Sequence, residues 1–331
     1  MRAMVLHGQA PIEHEPLRAE DRALPTPAAD ELLIRVRACG VCRTDLHLIE
    51  GDLPPHRAPI VPGHQVVGVV ETAPSGAAFA VGDRVGVAWL RGTCLRCEYC
   101  TSGRENLCPE ARFTGWDADG GYAQYAAVPA AFAYAIPGAF TDVEAAPLLC
   151  AGIIGFRALE RAEMPPRGRL GLWGFGSSAH VTLQIARARG ARVYVFTREG
   201  SHRKLAEDLG AVWTGDVDDA PPEPLDSAIV FAPVGALVPV ALERLGRGGT
   251  LALAGIYMTP TPPLDYTRHL FYERQVRSVT ANTRTDGVRL LAEAARIPVR
   301  LATTTFPLDD ANRALQALKQ GEFAGSGVLV S

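Results

Sequence analysis

Seven cysteines, Cys39, Cys42, Cys94, Cys97, Cys100, Cys108 and Cys150, carry the most distinctive chemistry of this sequence. Four of them fall in CLRCEYCTSGRENLC, where Cys94, Cys97, Cys100 and Cys108 are spaced C-x2-C-x2-C-x7-C. Three close thiolates can wrap one side of a zinc ion while a Gly-containing polar loop returns the fourth to close a tetrahedron. Four protein ligands leave no position for substrate, so such a site organises a fold where little apolar surface is available. Sulfur ligands alone also admit an iron–sulfur cluster, and the plain alternative is four unligated cysteines in a flexible loop. An odd number of cysteines excludes complete disulfide pairing within one chain. Their clustering favours metal chemistry in a reducing compartment over a secreted scaffold.

A second set of donors is dispersed. CGVCRTDLH contains Cys42, Thr44, Asp45 and His47, PGH supplies His64, and PLLCAG supplies Cys150. Two thiolates and one imidazole would leave the fourth position of a zinc ion for water or an alcohol oxygen, which permits Lewis-acid chemistry. The competing readings are buried cysteines with a core histidine, and a redox pair formed by Cys39 and Cys42. Cys39 is more economically a small packed residue. Asp45 either orients a ligand histidine or caps a helix.

A third motif binds phosphate. In LGLWGFGSSAH, Gly174 permits a tight turn, Gly176 removes a Cβ that would obstruct a pyrophosphate, and Ala179 lets helix and strand approach. The free N–H groups of the following helix would point at the phosphates. The next strand ends in VFTREG rather than in an acidic residue. Thr197 leaves room for a 2'-phosphate that Arg198 and Arg203 could neutralise, which favours NADP(H) and leaves NAD(H) open through Glu199.

These residues need elements to hold them. Short apolar runs at 32–37, 66–71, 83–88 and 122–128, punctuated by Gly and Pro, predict strands of an irregular β-rich domain. Helices are expected over 143–149 and 153–162, broken at Gly152. From Arg169 the texture becomes α/β: strands at 170–173, 191–197, 227–231, 250–254 and 276–280 alternate with helices at 177–189 and 236–245. A helical run at 287–296 precedes a segment at 301–306, a further helix through Gln316, and 327–330, a tail able to complete the first domain. The expected division is residues 1–149 with 281–331 around a central 150–280.

The 331 residues, 47% hydrophobic, exclude a disordered chain, and 33 basic against 36 acidic residues give neither a nucleic-acid-sized basic field nor an acidic solvating chain. The N-terminal MRAMVLHGQAP does not resemble a secretory signal and no uninterrupted apolar stretch would span a bilayer, so a cytoplasmic protein without membrane or nucleic-acid partners is expected.

GVCRTDLH, PGH, the four-cysteine lobe, PLLCAG and GFGSSAH together resemble the zinc-dependent alcohol dehydrogenases of the medium-chain dehydrogenase/reductase family over nearly the whole chain. The resemblance implies a central Rossmann domain with a β-rich, GroES-like catalytic domain formed by both chain ends, and two zinc ions per chain. The catalytic ligand set already known for such enzymes, two cysteines and one histidine, falls on Cys42, His64 and Cys150. The structural site falls on Cys94, Cys97, Cys100 and Cys108. Arg43 looks like a pyrophosphate ligand, and Thr44 would pass the alcohol proton through the cofactor ribose toward His47. Gln65 departs from the GHE form common in the family. Leu53, Trp89 and Trp116 resemble pocket walls suited to a small apolar primary alcohol or aldehyde. A homodimer or homotetramer is also implied.

Overall fold

A computed structural model of the chain describes residues 1–297 and 299–331. Two compact units are present, one formed by Met1–Cys150, Ala281–Ala295 and Leu301–Ser331, the other by Ala151–Thr280 and Arg296–Arg300.

In the first unit the main strands and helices are β1 (Glu31–Gly40), α1 (Arg43–Glu50), β2 (Gln65–Thr72), β3 (Arg84–Val87), β4 (Tyr125–Pro129), β5 (Ala133–Ala135) and α2 (Asp142–Pro147). The alternation in ELLIRVRACG puts Leu32, Ile34 and Val36 on one buried face of β1. Each such side chain taken from water contributes about 1.5–3 kcal/mol. β1 pairs antiparallel with β2 in a register that sets Cys39 opposite Val66 and Gly40 opposite Gln65. That register brings the residues just beyond the end of β1 beside those just before β2. The paired strand ends therefore hold Cys42 and His64 close together although 21 residues separate them.

The second unit contains α3 (Ile153–Arg161), β6 (Arg169–Trp173), α4 (Ser177–Ala188), β7 (Arg192–Phe196), α5 (Gly200–Asp208), β8 (Trp213–Gly215), β9 (Leu225–Val230), α6 (Leu237–Arg244), β10 (Leu245–Leu253) and β11 (Gln275–Ser278). The six strands form one sheet in the order β8-β7-β6-β9-β10-β11, all parallel. Runs such as RVYVF are buried on both faces, as crossover helices on each side require. Trp173 and Phe196 stack at 3.8 Å between ring centroids in this core. Strand order reverses between β6 and β9, the point at which Rossmann sheets bind dinucleotides.

The chain then returns to the first unit through α7 (Arg284–Arg296), β12 (Thr303–Pro307), α8 (Ala311–Gln320) and β13 (Ser326–Val330). β13 pairs antiparallel with β1, setting Leu329 opposite Cys39, so the first sheet runs β12-β13-β1-β2-β3-β5 with β4 also on β1.

The interruption expected at Gly152 takes another form. Leu148–Gly152 is a π-helical turn following Pro147, and Cys150 lies inside it. Proline has no backbone N–H to donate, and a widened turn re-aims the side chains it carries.

Candidate active site

Cys42, His64 and Cys150 meet in the first unit with their ligand atoms all within 4.8 Å of one another. Each arrives for a local reason. Cys42 is the N-cap of α1, its Sγ accepting the Thr44 N–H at 3.5 Å, and Cys150 sits on the π turn. His64 follows Gly63, whose φ of +94° and close approach to the Tyr122 ring (a Cβ there would stand 2.3 Å from a ring carbon) admit no side chain.

Asp45 ties Cys42 and His64 together. It is 3% exposed, and one carboxylate oxygen accepts from His64 Nδ1 at 3.1 Å. The other accepts from Cys42 N–H at 2.9 Å and from the Tyr122 hydroxyl at 3.0 Å. Asp45 thus both caps the helix and orients the histidine. With the hydrogen on Nδ1, His64 presents the lone pair of Nε2, which is buried and has no hydrogen-bond partner.

The electrostatics ask for a cation. Cys42 is pulled well below the usual thiol range by the Cys150 thiol beside it and by His64, against the cost of burial. Burial opposes a charged His64, yet Asp45 and Cys42 push its pKa up to about 10. Cys150 is held well above its ordinary value by its neighbour Cys42 and by burial. Binding of a divalent ion at such a site would release the protons its ligands hold. Two soft sulfurs and one imidazole nitrogen, the orphaned buried Nε2 of His64, fit zinc with one position open.

The sulfur lobe forms the other candidate metal cluster among the described residues, Cys94, Cys97, Cys100 and Cys108, again within 4.8 Å. Sγ separations of 3.5 Å (Cys97–Cys100) and 3.9 Å (Cys94–Cys100) bracket the ~3.8 Å edge of a tetrahedron with Zn–S bonds of about 2.3 Å. Backbone N–H bonds from Arg96 and Cys97 bring Cys94 down to about 6, while burial pushes Cys108 up to about 11. Glu105, in the loop between the third and fourth cysteines, accepts from the Arg284 backbone and guanidinium at 2.8–3.0 Å, fixing the lobe to the start of α7.

In the second unit Gly174 has φ +86° and donates to the Phe196 carbonyl at 2.9 Å, making the turn out of β6. No atom lies within 4 Å of where a Cβ on Gly176 would stand, and α4 begins there with no side-chain cap. Ala179 is fully buried. This uncapped N-terminus suits a phosphate. His180, also fully buried, is pushed down to about 4 by burial and adds no positive charge near neutral pH. Past β7, Thr197 is buried and its hydroxyl donates to Glu199 at 2.9 Å. Arg203 donates to the Thr197 carbonyl at 2.8 Å and to Asp216 at 3.2 Å. Arg198 stands 76% exposed, 3.8 Å from Glu199.

Arg43 is exposed at the first position of α1, and Thr44 Oγ1 lies 3.6 Å from Cys42 Sγ. His47 meets Asp52 at 2.8 Å. Trp89 lies beside the candidate metal ligand, 6.3 Å between its centroid and that of His64. It stacks on Phe113 at 4.2 Å and runs parallel to Trp116 at 5.9 Å, while His56 stacks on Trp116 at 4.0 Å. Leu53 is half-buried, its N–H bonded to the His47 carbonyl. Cys39 is buried, and its thiol is pushed well up by burial and by the Asp45 charge. It is a packed residue, unsuited to a redox pair.

Sequence reasoning missed Tyr122, Asp52, Phe113 and His56. A carboxylate five residues beyond His47 carries no spacing signal by itself, and Tyr122 reaches Asp45 from 77 positions away.

Residues 28–138 match the family described as "Alcohol dehydrogenase GroES-like domain" and 179–296 the one described as "Zinc-binding dehydrogenase". "Probable alcohol dehydrogenase AdhA" of Mycobacterium tuberculosis (strain CDC 1551 / Oshkosh) is 55% identical over 336 residues, covering 100% of this chain and 97% of that one. The cobalt- and zinc-bound thermostable alcohol dehydrogenase of Pyrobaculum aerophilum superimposes with a TM-score of 0.90 at 27% identity, covering 100% and 99% of the two chains. A "putative zinc-binding dehydrogenase" of Sinorhizobium meliloti 1021 bound to NADP gives 0.87 at 27% identity with the same coverage.

Fold and site define an α/β Rossmann dehydrogenase with a GroES-like catalytic unit and two candidate metal clusters. The chain belongs to the zinc-dependent alcohol dehydrogenases of the medium-chain dehydrogenase/reductase family. It is an NAD(P)-dependent oxidoreductase of an alcohol and aldehyde pair.

Proposed function

We propose that the protein interconverts small apolar primary alcohols and aldehydes, with NADP(H) preferred, at a site whose zinc is held by Cys42, His64 and Cys150. The observation that carries this reading is the convergence of those three ligand atoms, with His64 Nε2 buried and unpartnered. When bound, zinc supplies Lewis acidity toward an oxygen and the nicotinamide exchanges hydride.

The chain's own residues supply the rest. Asp45 fixes the His64 ring and Cys42 together. Thr44 takes the substrate hydroxyl proton and His47 is its later acceptor, returning it in the reducing direction. Leu53, Trp89 and Trp116 present apolar surface to the substrate carbon chain and exclude water, and Arg43 binds the cofactor pyrophosphate. Cys94, Cys97, Cys100 and Cys108 hold a structural zinc. The division of labour follows residues 1–149 with 281–331 for catalysis and 150–280 for the cofactor.

NADP is favoured by small Thr197 and exposed Arg198 at the end of β7, with Gly174, Gly176 and Ala179 cradling the pyrophosphate. Arg203 reaches the phosphate only by leaving Asp216. NAD is the second reading, favoured by the Glu199 carboxylate beside Thr197. No described helix is long and apolar enough to cross a membrane, and a cytoplasmic location is part of the proposal. Self-association as a homodimer or homotetramer is supported by the edge strand β11, flanked by exposed Phe271 and Tyr272 and carrying exposed Val276. Light scattering reads the subunit number.

A panel of alcohols and aldehydes assayed with both nicotinamides tests the function. Turnover of aliphatic or aryl primary substrates with lower KM for NADPH is expected. Cofactor binding without turnover of any panel member would point instead to a nicotinamide-binding sensor.

A further inference from the structure

The turn that ends α1 folds a carboxylate back onto His47. Gly51 takes φ +102°, and the N–H groups of Gly51 and Leu53 both donate to the His47 carbonyl, at 3.2 and 3.0 Å. Gln9 clamps the same turn from another segment, its amide donating to the carbonyls of Leu48 at 2.6 Å and Leu53 at 2.7 Å. Asp52 is thereby held with Oδ2 2.8 Å from His47 Nδ1. The histidine side chain is 14% exposed and the carboxylate 42%, so the pair has one end in water and one in the fold.

We propose that Asp52 is a positioning residue for proton transfer, fixing His47 in the tautomer that carries its hydrogen on Nδ1 and keeps Nε2 as the proton acceptor. A carboxylate has no hydrogen to give, so the nitrogen facing it must donate. The neutral ring then has its lone pair on Nε2, and a proton gained there leaves an imidazolium beside a fixed negative charge. The proton goes no further than the ring until it exchanges with water. The same division of roles, carboxylate as orienter and imidazole as base, operates wherever an acid holds a catalytic histidine. The inference rests on the reading of His47 as the terminal proton acceptor, and it adds which nitrogen acts and what selects it.

The zinc-loaded full chain is compared as wild type, Asp52→Asn, Asp52→Glu and His47→Gln. Two measurements are made: steady-state kinetics with solvent isotope effects, and 15N-histidine NMR, in which the His47 signal is assigned by its loss in His47→Gln. An asparagine can turn its NH2 toward the ring and reverse the tautomer. Asp52→Asn is therefore expected to lower kcat about tenfold with little change in the alcohol KM, and to enlarge the solvent isotope effect. Asp52→Glu should recover most of that loss. The wild-type His47 signals should show a protonated Nδ1, and Asp52→Asn should mix the two tautomers. An unchanged tautomer in Asp52→Asn overturns the proposal whatever the rate does, and an altered tautomer with unchanged kcat overturns it as well. Full activity in His47→Gln overturns the relay reading instead, an outcome distinct from a silent Asp52→Asn beside an impaired His47→Gln, which removes Asp52 alone.

Discussion

Asparagine at position 45 should separate the two metal sites cleanly. As a carboxylate, Asp45 only accepts, and three buried donors converge on it: Cys42 N–H, the Tyr122 hydroxyl and His64 Nδ1. An asparagine has one acceptor oxygen and an amide that donates. If the oxygen faces Cys42 and Tyr122, the amide faces His64 Nδ1 and forces the ring hydrogen onto Nε2, the nitrogen a metal would need. If the amide is reversed, the Cys42 N–H loses its acceptor and the Tyr122 hydroxyl must turn, at about 1–3 kcal/mol for each buried donor left unpaired. Either arrangement weakens zinc binding at Cys42, His64 and Cys150. Loss of a partner that orients a ligand typically lowers metal affinity about 10–100-fold, or roughly 1.4–2.7 kcal/mol. Chelator competition followed by metal analysis reads this as one zinc lost early and one retained, since the four-cysteine lobe does not involve Asp45. Tyr122→Phe, which removes one donor and orphans none, should lie between Asp45→Asn and wild type. Equal chelator resistance of both zincs in Asp45→Asn would refute the reasoning, because it would mean His64 is oriented by something other than this carboxylate.

Burial raises the Glu105 carboxyl, but the hydrogen bonds and charge of Arg284 more than offset it and leave its pKa below the usual value. A depressed folded pKa stabilises above the unfolded value of about 4.3 and is lost as pH falls through the folded one. Glu105→Gln should therefore destabilise at pH 7 in denaturant titrations, with the deficit narrowing below about pH 4; a deficit that widens in acid contradicts the ion-pair account. Arg198→Ala should raise the KM for NADPH about tenfold and leave that for NADH nearly unchanged, since it removes a charge only the 2'-phosphate would meet. Equal effects on both cofactors would refute a contact between Arg198 and the 2'-phosphate.

Much of the site is legible in the sequence because it depends on local spacing. Cys94, Cys97, Cys100 and Cys108 need little beyond a turn to meet, and Gly174, Gly176 and Ala179 sit between a strand and a helix whose apolar patterns are strong. Cys42 and His64 are different, since their proximity depends on the pairing of Gly40 with Gln65, a register that two apolar strands do not announce. Cys150 is harder still. Its aim depends on a π turn after Pro147, and helical periodicity cannot distinguish that turn from a break at Gly152. The two readings of Asp45 proved compatible because a capping carboxylate has two oxygens, and each found its own donors. Tyr122 and Asp52 act through contacts that only the folded chain creates. Arg203 shows the converse, a cation whose residue type suggested phosphate and whose surroundings supply Thr197 and Asp216.

The central claim, that Cys42, His64 and Cys150 together hold a catalytic zinc, is tested most directly by counting metal in Cys42→Ser. Anaerobically purified wild type should carry two zinc ions per chain. The variant should keep one, remain folded, and lose alcohol-dependent cofactor reduction. A Cys42→Ser protein that retains two zincs and turns over alcohol at the wild-type rate would contradict the account.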